Sequence, residues 1–248
     1  VIVFQREPAT DPDAEEIDRI CAEYRRRDRE IPASLYDLSR PAPRFAYEGL
    51  CSAVMEALDR LGKLPLTGCA LADVGCGDGR WLRQFVEWGV EPEALCGIDL
   101  IGSRVDAASA LAPGASLVCG DARSLPWPDQ SFDVVLQFMV FSSILRPGVK
   151  HRIAAEMLRV LKPDGAILWY DARWGNPRNV NVRGVGAREI RGLFPGCEVR
   201  LRSVTLAPPL ARRVVPLSWT AGALLERVPF LRTHCFGVIR KRGAGGNA

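Results

Sequence analysis

Apolar and polar positions alternate in two different rhythms along the chain. Residues 13–30 are dense in charge and predict an exposed helix, and residues 31–44, with Pro32, Pro41 and Pro43, predict a loop. Leu50, Val54, Leu58 and Leu61 keep helical spacing, which predicts an amphipathic helix ending at Gly62. From residue 69 short apolar blocks take over: Cys69–Val74, Ala94–Ile98, Ser116–Cys119, Phe132–Phe138 and Ala166–Tyr170 read as strands. Helical stretches separate them, up to about Trp88, near 102–111, and from His151 to Leu161; Lys162-Pro163-Asp164-Gly165 is a turn signal. Strands that are apolar throughout and alternate with helices predict a parallel sheet covered on both faces. Beyond it, Glu198–Leu206 and Cys235–Ile239 read as strands. Between them, residues 210–228 form one apolar helical stripe kinked at Pro216. The expected fold is therefore α/β: a Rossmann-like, doubly wound, mostly parallel seven-stranded sheet with an antiparallel edge strand. It divides into an N-terminal helical cap (1–62), the sheet domain (63–242) and a disordered tail (243–248).

With 248 residues, 48% apolar and 25% charged, the composition is that of a globular protein large enough for a sizeable core. No apolar run reaches the ~18 residues of a membrane-spanning helix. The start, Val1-Ile2-Val3-Phe4, is too short for a signal-peptide core, and the first residue is not Met. None of the eight cysteines forms a Cys-x-x-Cys pair, so they read as reduced, mostly buried thiols of a cytoplasmic protein. With two histidines, His151 and His234, far apart, no metal site is expected. Charge is uneven. Residues 172–248 hold 14 Lys and Arg against 3 Asp and Glu, a net of +11, while residues 1–171 hold 19 against 26, a net of −7. The basic part reads either as a solvated surface or as attraction to an anionic partner such as a phosphorylated substrate, anionic lipid or nucleic acid.

The chemistry concentrates after the first strand, where Asp73-Val74-Gly75-Cys76-Gly77-Asp78-Gly79 leads into a helix. Small residues let the backbone approach a ligand, and a helix N-terminus offers free amides. A dinucleotide fingerprint would need a third glycine at position 80, which is Arg. Asp99 ends the second strand, where a carboxylate can accept from ribose hydroxyls, and Gly120-Asp121-Ala122 follows the third, where an acid can meet an adenine amine. Asp73 would repel a pyrophosphate. A cationic ligand with a ribose and an adenine fits better, and S-adenosylmethionine (SAM) has these features.

On these residues, together with residues 125–133 (LPWPDQSFD) and 159–165 (RVLKPDG), the chain resembles the class I SAM-dependent methyltransferases. The subgroup is the one that includes ubiquinone/menaquinone C-methyltransferases and small-molecule O- and N-methyltransferases. The resemblance covers residues 69–172, with an edge to about 240. It implies SAM as cofactor, with S-adenosylhomocysteine as product. Asp73, Gly75, Cys76 and Gly77 would line its methionine part, Asp99 its ribose, and Leu100, Asp121, Ala122 and Arg123 its adenine. Gln137, just past the fourth strand, would lie near the sulfonium, and Arg44 near the methionine carboxylate.

Methyl transfer is an in-line displacement that needs an aligned nucleophile and exclusion of water. The loop after the fifth strand concentrates polar groups where an acceptor would lie. It supplies Arg173, Asn176 and Asn179 as candidate substrate contacts, joined by Tyr36 and Tyr47 of the cap. Asp171 and His151 are the candidate bases; Asp171 could equally pair with an arginine, and His151 could cap a helix. Phe141-Ser142-Ser143 stands where quinone-methylating relatives carry a histidine. The expected function is methyl transfer to a small-molecule or glycan acceptor, first of all a hydroxyl of a sugar or hydroxylated metabolite. Quinone C-methylation, RNA methylation and a non-catalytic SAM-binding domain are the alternatives, and no nucleic-acid recognition module is visible. The helix over 208–228 reads as an edge helix or, with Arg212 and Arg213 beside apolar residues, as a contact with the inner membrane surface that suits an anionic or lipid-linked substrate.

Overall fold

The structure is a computed structural model, and it describes residues 13–175 and 179–242. Two helices come first, α1 (Ala14–Glu30) and α2 (Pro41–Arg60). The alternating part follows as β1 (Leu71–Val74), α3 (Arg80–Glu87), β2 (Leu95–Asp99), α4 (Gly102–Leu111), β3 (Ser116–Cys119), β4 (Phe132–Phe138), α5 (Pro147–Val160) and β5 (Leu161–Ala172). The chain ends with α6 (Ala187–Leu193), β6 (Cys197–Leu206), α7 (Pro208–Val214), α8 (Trp219–Glu226) and β7 (Arg232–Lys241). The seven strands form one sheet in the order β3-β2-β1-β4-β5-β7-β6. The pairs from β3 to β5 are parallel. The reversed strand β7 inserts antiparallel between β5 and β6, which leaves β6 at the rim.

Side-chain alternation explains the apolar blocks. In β1, Ala72 and Val74 face a core with α1, α5 and α6 (Ile20, Ile153, Ile190), while Leu71 faces a core with α2 and α3 (Leu58, Leu82, Phe85). In β5, Ile167 and Trp169 join the first core, Leu168 and Tyr170 the second. Strands buried on both faces are apolar along most of their length, and the polar exceptions, Asp73 in β1, Gln137 in β4 and Asp171 in β5, lie toward their carboxyl ends. A smaller cluster of Phe45, Leu206, Ala211 and Val215 holds α7 to α2 and β6.

Several expected boundaries move for identifiable reasons. The expected loop over 31–44 gives way to α2 at Pro41, because proline in a first turn lacks only an amide that would be unbonded anyway. In the same way α5 begins at Pro147, so His151 lies a turn inside it. The stripe over 208–228 is two helices: Pro216 interrupts it, and the Ser218 hydroxyl caps α8 by accepting from the Ala221 amide. The Lys162–Gly165 turn is absorbed at the start of β5, where the register with β4 shifts between Phe132 and Val134. Helix α6 has no counterpart in the expected elements. Helix α1 is not simply exposed, since Glu16, Ile20 and Glu23 are buried on its inner face. Asn176 and the tail 243–248 lie outside the described residues.

Candidate active site

Strand order reverses around β1, with β2 on one side and β4 on the other, and the carboxyl ends of these strands open into a crevice. A cavity of about 680 Å³ occupies it. Its floor includes Asp73, Gly75, Gly77, Asp99, Leu100 and Asp121; Cys76 and Ala122 also line it. Ile17, Ile20, Tyr24, Arg27 and Asp28 of α1 form its roof.

The turn after β1 is built by backbone. Gly75 has φ +78°, and a Cβ there would lie 2.3 Å from Val140 Cγ2, so only glycine fits. The Gly75 and Cys76 amides donate to Ile98 O at 2.8 and 3.0 Å, which ties the turn to β2. The Asp99 carboxylate accepts from the Gly77 amide through Oδ2 (3.0 Å) and from the Ile101 amide through Oδ1 (2.9 Å). Each oxygen keeps a further lone pair for a ligand. Asp121 accepts from the Arg123 amide (2.8 Å) and Nε (2.7 Å), so Arg123 neutralises it without lining the cavity. Cys76 packs its thiol beside Gly97 in the apolar layer, and burial pushes that thiol up.

Asp73 is 2% exposed and has no hydrogen-bond or ion-pair partner among the described residues. Burial, and then the charges of Asp99 and Asp78, push its carboxyl up to about 8. An unpartnered buried carboxylate facing a cavity is costly unless a cation completes it.

The opposite wall is held by side chains. Glu16 Oε1 accepts from the Leu145 and Arg146 amides, and Arg19 donates to Ser143 O (2.7 Å). Glu23 accepts from Asn179 Nδ2 (3.1 Å) and Asn181 Nδ2 (2.9 Å). A hydrogen bond from Arg26, helped against burial by those two asparagines, holds the Glu23 carboxyl down at about 2. Tyr24 Oη lies 3.1 Å from Ser143 Oγ at the cavity wall. At the mouth, Tyr36 is gripped by Arg27, which donates to its hydroxyl (3.2 Å), and by Arg80, which donates to its carbonyl (3.2 Å).

The other expected site residues stand apart from the cavity. Gln137 lies within β4 rather than past it, fully buried, with Nε2 donating to Asp171 Oδ2 (2.9 Å) and Oε1 unpartnered. Asp171 is fully buried; it also accepts from the Ser142 amide (3.1 Å) and the Ala172 amide (2.8 Å). Burial pushes its carboxyl up to about 6 against those bonds. His151 is exposed on α5 with Nδ1 2.8 Å from Pro147 O. Arg44 pairs with Glu48 on the surface of α2, and Tyr47 donates to Gln84 Oε1 (2.9 Å). Arg173 lies over the Trp174 ring, and Asn179 serves the Glu23 clamp. Met139, with φ +65°, and Val140 occupy the place at the end of β4 expected for Gln137. The residues missed were those of α1. Its buried glutamates looked like solvated charge because their partners lie more than a hundred positions away.

Comparison with known proteins decides what this arrangement belongs to. A methyltransferase-domain family model matches residues 72–169. A fatty-acid O-methyltransferase of Mycolicibacterium smegmatis is 35% identical over 190 residues, 68% of this chain and 68% of that protein. The chain belongs to the class I SAM-dependent methyltransferase family. Phthiotriol/phenolphthiotriol dimycocerosates methyltransferase 1 of Mycobacterium ulcerans is 34% identical over 143 residues, 52% of this chain and 51% of that protein. The chain thus spans about half the length of the phthiotriol methyltransferases it matches. A SAM-dependent methyltransferase from Archaeoglobus fulgidus shares the fold at TM-score 0.53, 18% identity, over 77% of this chain and 94% of that one. The [4+2]-cyclase SpnF shares it at TM-score 0.51, 22% identity, over 75% and 80%. The family's cofactor is SAM, and the cavity fits it: Asp73 lacks a cation, and Gly75 leaves the floor free of side chain.

Proposed function

We propose that this protein transfers a methyl group from SAM to an oxygen of a small, largely apolar acceptor enclosed beneath α1. The observation that carries the reading is the buried, unpartnered Asp73 in a cavity floored by the glycine turn and Asp99. Asp73 would take the ammonium of the methionyl part, Asp99 the ribose hydroxyls, and Leu100, Asp121 and Ala122 the adenine. When bound, the cofactor supplies a methyl group activated by attachment to a cationic sulfur. The chain's part is placement and exclusion of water. The Glu16, Arg19 and Glu23 bonds hold α1 down as a roof, and Ile17, Ile20, Ile144, Val149, Ile153 and Val182 line the cavity with apolar surface.

That lining supports a lipid-like acceptor, in keeping with relatives named for fatty acids and phthiotriol dimycocerosates. The sugar acceptor expected from the loop after β5 lacks this support, because Arg173 and Asn179 are engaged elsewhere. An oxygen ionised before binding, such as a carboxylate, needs no base. His151 is on the surface and His234 is stacked on Tyr170, so neither histidine stands in the cavity to act as a base. Incubation with methyl-labelled SAM and a fatty acid, a long-chain alcohol or a methyl glycoside tests this. Label in the fatty acid methyl ester is expected; label confined to the glycoside, or no transfer to any acceptor, would overturn it.

A further inference from the structure

The segment around α8 carries apolar surface that the described residues leave uncovered. Leu217 is 87% exposed, Phe230 83% and Leu224 57%. The pattern follows from the helix itself. Gly222 is buried and Leu225 packs against the Phe45 cluster, so Ala223, Leu224 and Arg227 fall on the outward face. Leu217 precedes that face and Phe230 follows it, so large apolar side chains stand at both of its ends.

Cations accompany them. Arg212 and Arg213 at the end of α7 and Arg227 at the end of α8 are exposed, and none of their guanidinium groups has a hydrogen-bond or ion-pair partner among the described residues. The nearby acids are taken: Glu226 accepts from the Leu206 amide, and Glu48 from Arg44. The region from residue 172 onward is net +11. Exposed apolar side chains interleaved with unpaired arginines complement a surface that is apolar below and negative above.

We infer that the α7–α8 face is a docking surface for an anionic lipid bilayer, with Leu217, Leu224 and Phe230 entering the interface and Arg212, Arg213 and Arg227 meeting headgroup phosphates. The face adjoins the start of α2: Trp219 packs edge-on against Phe45 at 5.0 Å, and a cleft between Arg44 and Trp219 separates the two helices. The segment just before α2 carries Tyr36 to the mouth of the cavity. Docking here would set that mouth near the membrane plane, where an apolar acceptor resides. The inference goes beyond the methyl-transfer reading, because binding to vesicles requires no catalysis.

The test is flotation of the full chain with vesicles of phosphatidylcholine alone or mixed with phosphatidylglycerol in about equal parts, at low and high salt. Binding to the anionic vesicles only, weakened by salt, is expected. Each of Arg212→Glu and Arg213→Glu should weaken it at least roughly fivefold, from the contribution of one basic side chain near an anionic surface. Leu217→Ser with Phe230→Ser should weaken it at least as much. All four positions are exposed, and transfer to a short, water-soluble acceptor should be unchanged in these variants. No vesicle binding at low salt, equal binding to neutral vesicles, or variants that bind like wild type would overturn the inference. So would self-association that Leu217→Ser and Phe230→Ser abolish without any vesicle binding, which would assign the face to a second copy.

Discussion

The cavity wall supplied by β1, β2 and β3 consists of a glycine turn and strand-end aspartates lying within about fifty residues of one another. The wall supplied by α1 and the loops after β4 and β5 consists of side-chain bonds such as Asn179 and Asn181 to Glu23, 156 and 158 positions apart. The first is fixed by the sheet and can be there before any ligand arrives. The second adds to those polar contacts the packing of Ile20 into the core, and a single helix held this way can open locally at a cost below that of global unfolding. One cavity therefore joins a floor built by the sheet's backbone to a roof held by Ile20 in the core and by polar contacts with distant loops.

The difference can be broken at the floor first. Gly75→Val forces a Cβ to within 2.3 Å of Val140 at φ +78°. Calorimetry should show S-adenosylhomocysteine binding weakened by about a hundredfold or more, the scale of a strained backbone plus a lost cradle. Val140→Ala in the same chain should recover part of it. If Gly75→Val binds like wild type, the turn is not the floor of the ligand site.

Beneath the roof, Asp171→Ala leaves the Ser142 amide and Gln137 Nε2 without their acceptor. Chemical denaturation should show a loss of about 1–3 kcal/mol, the cost of stranding buried donors. Unchanged stability with abolished turnover would instead mark Asp171 as the base.

Asp73 gives the floor a pH signature. Its raised value of about 8 means that the ligand-free folded chain holds a proton that the unfolded chain releases near 3.8. Stability of the ligand-free chain should therefore fall as pH rises between those values and level off above about 8. A cationic ligand favours the ionised form, so affinity should climb with pH up to about 8, by at most about tenfold per unit, with proton release. Asp73→Asn should flatten both dependences. Persistence of either slope in that variant would assign it to another group.

The smallest effect belongs to the roof. Glu23→Gln removes the charge that Asn179, Asn181 and Arg26 share. Hydrogen exchange along α1 should speed up by about fivefold to tenfold, on the order of one ordinary hydrogen bond because the glutamine keeps an acceptor, with ligand affinity falling less. Because the Glu23 carboxyl is held down at about 2, its contribution in the native chain is fully present above the ordinary 4.5 and is lost as pH falls toward 2. Exchange in α1 that is unchanged in the variant would remove Glu23 from the clamp.

The same contrast sets what the sequence could reveal. The strands and the turn at residues 73–79 were legible because each is written locally: an apolar block, a glycine run, an aspartate at the strand end. The placement of β7 between β5 and β6 was not, since pairing order leaves no mark in either strand. Pro41 reads as a loop residue because a proline opening a helix and one in a loop look alike without the turn that follows. The role of α1 was hidden for a different reason. Glu16 and Glu23 resemble solvated charge until the amides and asparagines they bind are brought beside them.

Titration calorimetry of S-adenosylhomocysteine into wild type and Asp99→Ala tests the central claim most directly. One site per chain in wild type, with binding lost in Asp99→Ala while the fold is retained, is the result expected of a floor that grips a ribose. Equal binding by the two proteins, or none by wild type, would contradict it.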